Sequence, residues 1–327
     1  MNRTVAAVIA WLFVIATAQA DDPLPSWNDG PAKQAILNFV GRATSKDSES
    51  FVPPAERIAV FDNDGTLWCE QPMYVQAAFT FDRIHTLAAQ HPEWKTTQPF
   101  KSVLEADHRA LADLGERGLA ELVMTTHASM TTAEFEQIVL DWIKTARHPK
   151  FKRPYTELVY QPMLEVINLL QAKGFKTYIV SGGGIEFMRP WTSKVYNIPP
   201  EQVIGSSIKT KYEMRPTGPV LMRLPEINFI DDKGGKPVGI GQFIGRPPLA
   251  AFGNSTGDQQ MLEWTQVTPG AHLMMLVHHD DAEREYAYGK DSIIGTFSDE
   301  LMAEVRKRKW TVISMRRDWK KIFAFQP

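Results

Sequence analysis

The chain of 327 residues contains one cysteine, Cys69. It therefore forms no intramolecular disulfide and holds no multi-cysteine zinc site. Excess charge of one sign is equally scarce: 36 Lys+Arg stand against 38 Asp+Glu, a formal net charge of −2. Nucleic-acid binders held by phosphate contacts need clustered positive charge, and this balance does not supply it. The basic run Arg306-Lys307-Arg308-Lys309 is too short to change that and reads as a solvated helix face. Internal repeats and low-complexity segments are missing, and no stretch after the N-terminal run is a credible membrane span. What remains is 43% apolar and 23% charged residues, the proportions of a globule with ample material for a core.

The N-terminus reads Met1-Asn2-Arg3, then an apolar run from Val5 to Ala16, then Ala18-Gln19-Ala20 before Asp21-Asp22. A positive start, an apolar centre and small residues at the end make a secretory signal, with cleavage expected after Ala20. The apolar run is shorter than the roughly 20 residues of a spanning helix. The expected mature chain is periplasmic or secreted, with no stable membrane anchor after cleavage.

Apolar strands then alternate with helices. Residues 30–43 carry a helical apolar face, and Arg57-Ile58-Ala59-Val60-Phe61 is a buried-strand run that stops at Asp62. Pro162 to Lys173 has helical spacing and Gly174 ends it; Phe175 to Val180 forms a second strand that stops at Ser181. A third unit passes through Pro237-Val238-Gly239-Ile240 to Pro248-Leu249-Ala250-Ala251-Phe252, stopping at Gly253, and a fourth strand runs from Leu273 to Val277. This alternation predicts an α/β fold: a Rossmann-like parallel sheet with helices on both faces. Between the first two strands lie helical stretches at 74–91, 100–116 and, from the capping box Thr131-Thr132-Ala133-Glu134, to about Lys144. The expected organisation is a core over 21–73 and 161–327, an inserted helical cap over 74–160, and a hairpin within 203–232.

Ligands in such sheets sit beyond the carboxyl ends of the strands, and the polar residues there are chemically distinct. The first strand ends in Asp62-Asn63-Asp64-Gly65-Thr66. Residues two apart in an extended segment point the same way, so Asp62 and Asp64 can face one ligand, one as nucleophile and the other as proton shuttle. The second strand ends in Ser181-Gly182-Gly183-Gly184, a hydroxyl with unobstructed backbone N–H groups at a helix start, suited to phosphate oxygens. Lys236 starts a helix and is placed to neutralise a phosphoryl group and the aspartate attacking it. The third unit ends in Gly253-Asn254-Ser255-Thr256-Gly257-Asp258, oxygen ligands suited to a hard divalent ion such as Mg²⁺.

In this order the four motifs resemble the haloacid dehalogenase superfamily of phosphohydrolases, and within it the phosphoserine-phosphatase-like branch with a helical cap. The resemblance covers roughly 55–72 and 160–280 and is weak across the cap. It implies an Mg²⁺-dependent phosphomonoester hydrolase acting on a small organic phosphate. Asp62 would form an aspartyl-phosphate, and Asp64 would serve as general acid and base. Ser181 and Gly182 would hold phosphoryl oxygens, and Lys236 would screen charge. Asp62, the Asp64 carbonyl, Asn254 and Asp258 would hold the metal. Asn254 stands where the family has an acid. Asp64 argues against dehalogenase chemistry, whose substrates need no leaving-group proton. A pyrophosphatase or phosphotransferase with the same chemistry, and a non-catalytic phosphate-ligand binding protein, are the alternatives.

Substrate contacts are expected from Glu70, Gln71 and Tyr74, just past the first motif. Glu70 is either a surface carboxylate, the commoner placement, or the partner of a substrate ammonium, as an acid near this position is in phosphoserine-phosphatase-like relatives. His108, Arg109 and His127 fall in helical or helix-end contexts of the cap, where a solvated or internally satisfied side chain is the commoner reading. His278-His279-Asp280-Asp281 follows the fourth strand as a candidate substrate rim or second metal site.

Overall fold

The computed structural model describes residues 22–112 and 115–326; the expected signal segment lies outside them. Its strands are β1 (Ile58–Phe61), β2 (Lys176–Gly184), β3 (Val203–Arg215), β4 (Gly218–Phe229), β5 (Ala250–Gly253), β6 (Leu273–His278) and β7 (Thr311–Ser314). They form one sheet in the order β4-β3-β2-β1-β5-β6-β7, parallel throughout except for β4, which runs antiparallel to β3. This is the expected α/β architecture. The helices are α1 (Pro31–Thr44), α2 (Val75–Leu87), α3 (Phe100–Leu104), α4 (His108–Ala112), α5 (Gly115–His127), α6 (Thr132–Thr145), α7 (Gln161–Ala172), α8 (Ile185–Tyr196), α9 (Gly235–Phe243), α10 (Gln259–Gln266), α11 (Asp299–Arg308) and α12 (Met315–Asp318). Among the described residues no helix is long and apolar enough to cross a membrane.

The unbroken apolar run of β1 follows from its central place. Ala59 and Phe61 pack on one side with residues of α1 and α7, whereas Ile58 and Val60 pack on the other with residues of α9, α10 and α11. A strand covered on both faces has no polar side to alternate with. Phe61 stacks on Phe252 of β5 with ring centroids 4.6 Å apart. The register pairs Phe61 with Ile179 and with Phe252, so the residues just beyond these three meet at one edge. There Asp62 donates its N–H to the carbonyl of Phe252 at 2.9 Å.

Three expectations are corrected. Strand β2 does not stop at Ser181: it continues to Gly184, which pairs with Ser206 after a register shift. The helix expected over 100–116 is broken at Glu105-Ala106-Asp107, where Ala106 takes φ 52° and the Asp107 carboxylate accepts the N–H of Ala110 at 3.1 Å, starting a new turn. The region 203–232 holds a hairpin far longer than the expected short runs, and it reaches back over the helical insertion. Met222 bridges to Thr131, and the N–H of Arg223 donates to Met130 O at 2.9 Å. The capping box at Thr131 forms as expected, with Glu134 N–H donating to the Thr131 hydroxyl at 3.1 Å.

Candidate active site

The ends of β1, β2 and β5 and the start of α9 meet at the floor of a cavity of about 400 Å³. Lining it from the sheet side are Asp62, Asp64, Ser181, Gly182, Lys236 and Asp258. Lys236 sits at the centre. Its ammonium donates to Asp62 Oδ1 at 2.6 Å, to Asp258 Oδ1 at 2.7 Å and to the carbonyl of Val180 at 2.9 Å, which accounts for all three of its protons. Burial alone would lower the Lys236 pKa, but Asp258 and Asp62 outweigh it and hold the ammonium protonated. Burial and the charge of Asp258 push Asp62 above the ordinary carboxylate range against the pull of Lys236. Asp64 is raised too, chiefly by burial, although Trp68 Nε1–H donates to its Oδ1 at 2.9 Å. Trp68 is locked by stacking on Trp191, with centroids 4.5 Å apart.

Asp258 was a candidate metal ligand by position, and here its oxygens serve protein donors. Oδ1 takes Lys236, while Oδ2 accepts the N–H groups of Asn254 at 2.9 Å and Ser255 at 3.0 Å. The oxygens that converge instead are Asp62 Oδ2 and Asn254 Oδ1, which share the Thr66 hydroxyl at 3.4 and 3.1 Å. Among the described residues no group of three or more His, Cys, Asp or Glu side chains is arranged to hold a metal. A cation here would rest on a carboxylate, an amide and backbone oxygen. That all-oxygen set suits Mg²⁺, which binds proteins through few carboxylates and keeps several waters.

Glu70 is not a surface carboxylate but lines the cavity from within the core. It is 1% exposed, and its Oε1 accepts from Asn254 Nδ2 and from the Tyr288 hydroxyl, both at 2.7 Å. A carboxylate oxygen that accepts from the amide NH₂ turns the Asn254 carbonyl toward Thr66 and Asp62. Two glycines make room for this pairing. Gly65 has φ +74° and Gly295 φ +65°; a Cβ on the first would lie 2.1 Å from Asn254 Nδ2, and on the second 1.9 Å from Glu70 Oε1. Behind the loop, His279 meets the carbonyl of Gly65 through Nε2 at 2.8 Å and Glu285 through Nδ1 at 3.3 Å, and it stacks on Tyr288 at 4.3 Å. Burial disfavours the Glu285 carboxylate, but the contact with His279 prevails and holds its pKa below the usual range. His279 is thus a buried support for the Asp64–Gly65 turn, neither a rim nor a second metal site.

Gln71 does not line the cavity: its amide donates to Ser292 Oγ and to the carbonyl of Ile294, both at 3.2 Å. Tyr74 does line it. Sequence reasoning missed Gln76, which ties the insertion to the sheet. Its Oε1 accepts the N–H of Gly184 at 2.7 Å, and its Nε2 donates to His127 Nε2 at 3.1 Å. That second bond requires a neutral imidazole, whose Nδ1–H meets the Thr126 hydroxyl at 2.7 Å. Burial, Arg223 and Arg83 supply the neutrality, pushing the His127 pKa down to about 3.

Comparison with known proteins adds a family and a fold. The model of the haloacid dehalogenase-like hydrolases matches residues 59–263, more than half of the chain. A conserved protein of unknown function from Anaerococcus prevotii DSM 20548 is 16% identical, over 86% of this chain and 91% of that one, with a TM-score of 0.54; that likeness is one of fold. A protein of unknown function from Bordetella pertussis Tohama I is 17% identical over 79% and 98%, with a TM-score of 0.49. A phosphoserine phosphohydrolase-like protein from Francisella tularensis subsp. tularensis SCHU S4 is 16% identical over 77% and 99%, with a TM-score of 0.39. No curated protein matches.

Two predictions follow from these contacts. Asn254→Asp replaces the donor facing Glu70 by a second carboxylate and is expected to destabilise the fold by about 1–3 kcal/mol. Adding Glu70→Gln returns a donor, so the double variant should recover most of the loss in urea midpoint; additive losses would contradict the pairing. His127 stays neutral when folded but takes up a proton near pH 6.5 once unfolded. Its contribution is therefore complete above pH 6.5 and shrinks toward pH 3, by up to about 1.4 kcal/mol per pH unit. Urea midpoints measured from pH 7 to 5 should fall less steeply for His127→Gln than for the parent.

Proposed function

Because the chain belongs to the haloacid dehalogenase-like hydrolase family, we propose that it is a phosphomonoesterase that works through an aspartyl-phosphate on Asp62. The observation carrying this reading is the placement of Asp62 on the cavity floor, 2.6 Å from the Lys236 ammonium, with Asp64 lining the same cavity. The Asp62 carboxylate attacks phosphorus while the ester P–O bond breaks, and protonated Asp64 gives its proton to the departing alkoxide. The Asp64 carboxylate then takes a proton from water, which attacks phosphorus and releases Asp62 as the P–O bond to it breaks. Ser181 and the backbone N–H of Gly182 orient the phosphoryl oxygens, and Lys236 offsets their charge. Asp62, the Asp64 carbonyl and Asn254 Oδ1 would hold Mg²⁺, which when bound supplies positive charge beside the transferring group. Helices α2–α6 act as the cap that excludes water.

Export follows from the N-terminal signal pattern, and the first residue of protein recovered outside the cytoplasm should be Asp21.

Hydrolysis of p-nitrophenyl phosphate tests the chemistry. Turnover should need Mg²⁺ and fall by at least about 10³-fold for Asp62→Asn; turnover that survives this substitution would refute the aspartyl-phosphate route. Asp64→Asn should lose more with an alkyl phosphate than with the aryl ester, because only the alkoxide needs a proton to leave. The raised Asp64 pKa keeps it protonated to higher pH than an ordinary aspartate, so alkyl ester turnover should decline on the alkaline side as that proton is lost.

A further inference from the structure

The cavity has two unlike walls. Every carboxylate and the one basic side chain among its described lining residues belong to core segments: Asp62, Asp64, Glu70, Asp232, Lys236 and Asp258. The opposite wall comes from α2 and α5, through Ala77, Phe81, Leu119, Leu122 and Val123. These positions repeat at helical spacing, so each helix turns one apolar face inward. Phe81 and Leu122 also pack with Ile84, Trp94, Phe100 and Val103 inside the insertion, which fixes the wall.

The polar groups of that wall are uncharged and contact other protein groups. Gln76 is used at both ends by Gly184 and His127. The Thr80 hydroxyl donates to the Gln76 carbonyl at 2.8 Å, and the Tyr74 hydroxyl accepts the N–H of Gly295 at 3.4 Å. On the core side, Lys236 has spent its three protons, Glu70 Oε1 holds Asn254 and Tyr288, and Asp232 is exposed to water. A second anionic group on the substrate would meet no free cation among the described lining residues, which disfavours diphosphates and phosphorylated acids. A substrate ammonium reaching the α2–α5 wall would meet no carboxylate there. Burying either charge without a partner is costly.

Building on the phosphomonoesterase reading, we infer that the substrate is a monoester of an uncharged, apolar alcohol or phenol, whose hydrocarbon part lies against Phe81, Leu119, Leu122 and Val123. At about 30 Å³ for each water-sized group, the cavity holds the phosphoryl group and on the order of ten further non-hydrogen atoms.

The test compares n-hexyl, ω-aminohexyl and ω-carboxypentyl phosphates, whose leaving alcohols are alike in length and in reactivity at the ester. The neutral ester should exceed both charged ones in kcat/KM by at least about tenfold. From ethyl to hexyl phosphate the value should rise about threefold to fourfold per methylene. Leu119 is 47% exposed, so Leu119→Asp should fold, and it should move the ω-aminohexyl to n-hexyl ratio at least about tenfold toward the amine. Equal or faster turnover of a charged ester, or an unchanged ratio in Leu119→Asp, would overturn the inference while leaving the hydrolase reading intact. Failure to hydrolyse any ester, p-nitrophenyl phosphate included, would instead overturn the hydrolase reading and the inference with it.

Discussion

The buried Lys236 ammonium is the interaction on which the rest of the site depends. It joins the end of β1 through Asp62, the body of β2 through the Val180 carbonyl, and the turn after β5 through Asp258. Removing an ammonium and two carboxylates from water costs several kcal/mol per ion, recovered only when geometry is close and every proton has an acceptor. Here both conditions hold. Without the ammonium, Asp62 and Asp258 would face each other as buried like charges at the edge where the sheet register brings the strands together. With it, two carboxylates against one ammonium still leave an excess of negative charge, which a divalent cation and a phosphoryl transfer centre can use.

The helical insertion is joined to this charged floor by different means. Gln76 reaches Gly184 and a neutral His127, while Arg223 of the β3–β4 hairpin donates to the His127 carbonyl at 2.6 Å and lies 4.1 Å over the Phe135 ring. Arg223 is itself buried and pairs with Glu186 at 3.4 Å. Its positive charge beside His127 is one reason that imidazole stays neutral and can accept from Gln76. The long hairpin therefore has a structural task beyond extending the sheet, because it carries a cation that adds to burial in keeping the contact between insertion and core neutral.

This division explains what was legible in the sequence. Strands β1, β2, β5 and β6 were readable because burial on both faces leaves continuous apolar runs that end abruptly at polar residues. The motif positions Asp62, Asp64, Ser181, Lys236 and Asp258 were readable because each follows such a run or opens a helix, and the sheet brings them to one cavity. Glu70, Gln76, His279 and Glu285 were not. They have partners 184, 108, 214 and 125 residues away, and nothing in local spacing distinguishes Glu70 from a solvent-facing glutamate. Likewise β7 packs at the sheet's edge, and its residues Thr311 and Val312 are only partly buried, so its apolar signal is weak. The one available hint to the Glu70 contact was Asn254 itself, an amide where an acid was expected.

That exchange is best understood as a relocation of a carboxylate. Had position 254 held an acid, its charge would sit directly beside Asp62 and Asp258 on a floor already rich in negative charge. With an amide there, the third acid stands one side chain back, at Glu70, where Tyr288 and the two glycines of positive φ enclose it. Burial raises Glu70 well above the ordinary carboxylate range, so its main contribution is geometric: an acceptor that obliges Asn254 to present oxygen, and not nitrogen, toward Asp62. That commitment engages only Oε1, while Glu70 still lines the cavity. An oxygen already shared by an amide and a phenol is a poor partner for anything further, and the wall that α2 and α5 set opposite it is apolar.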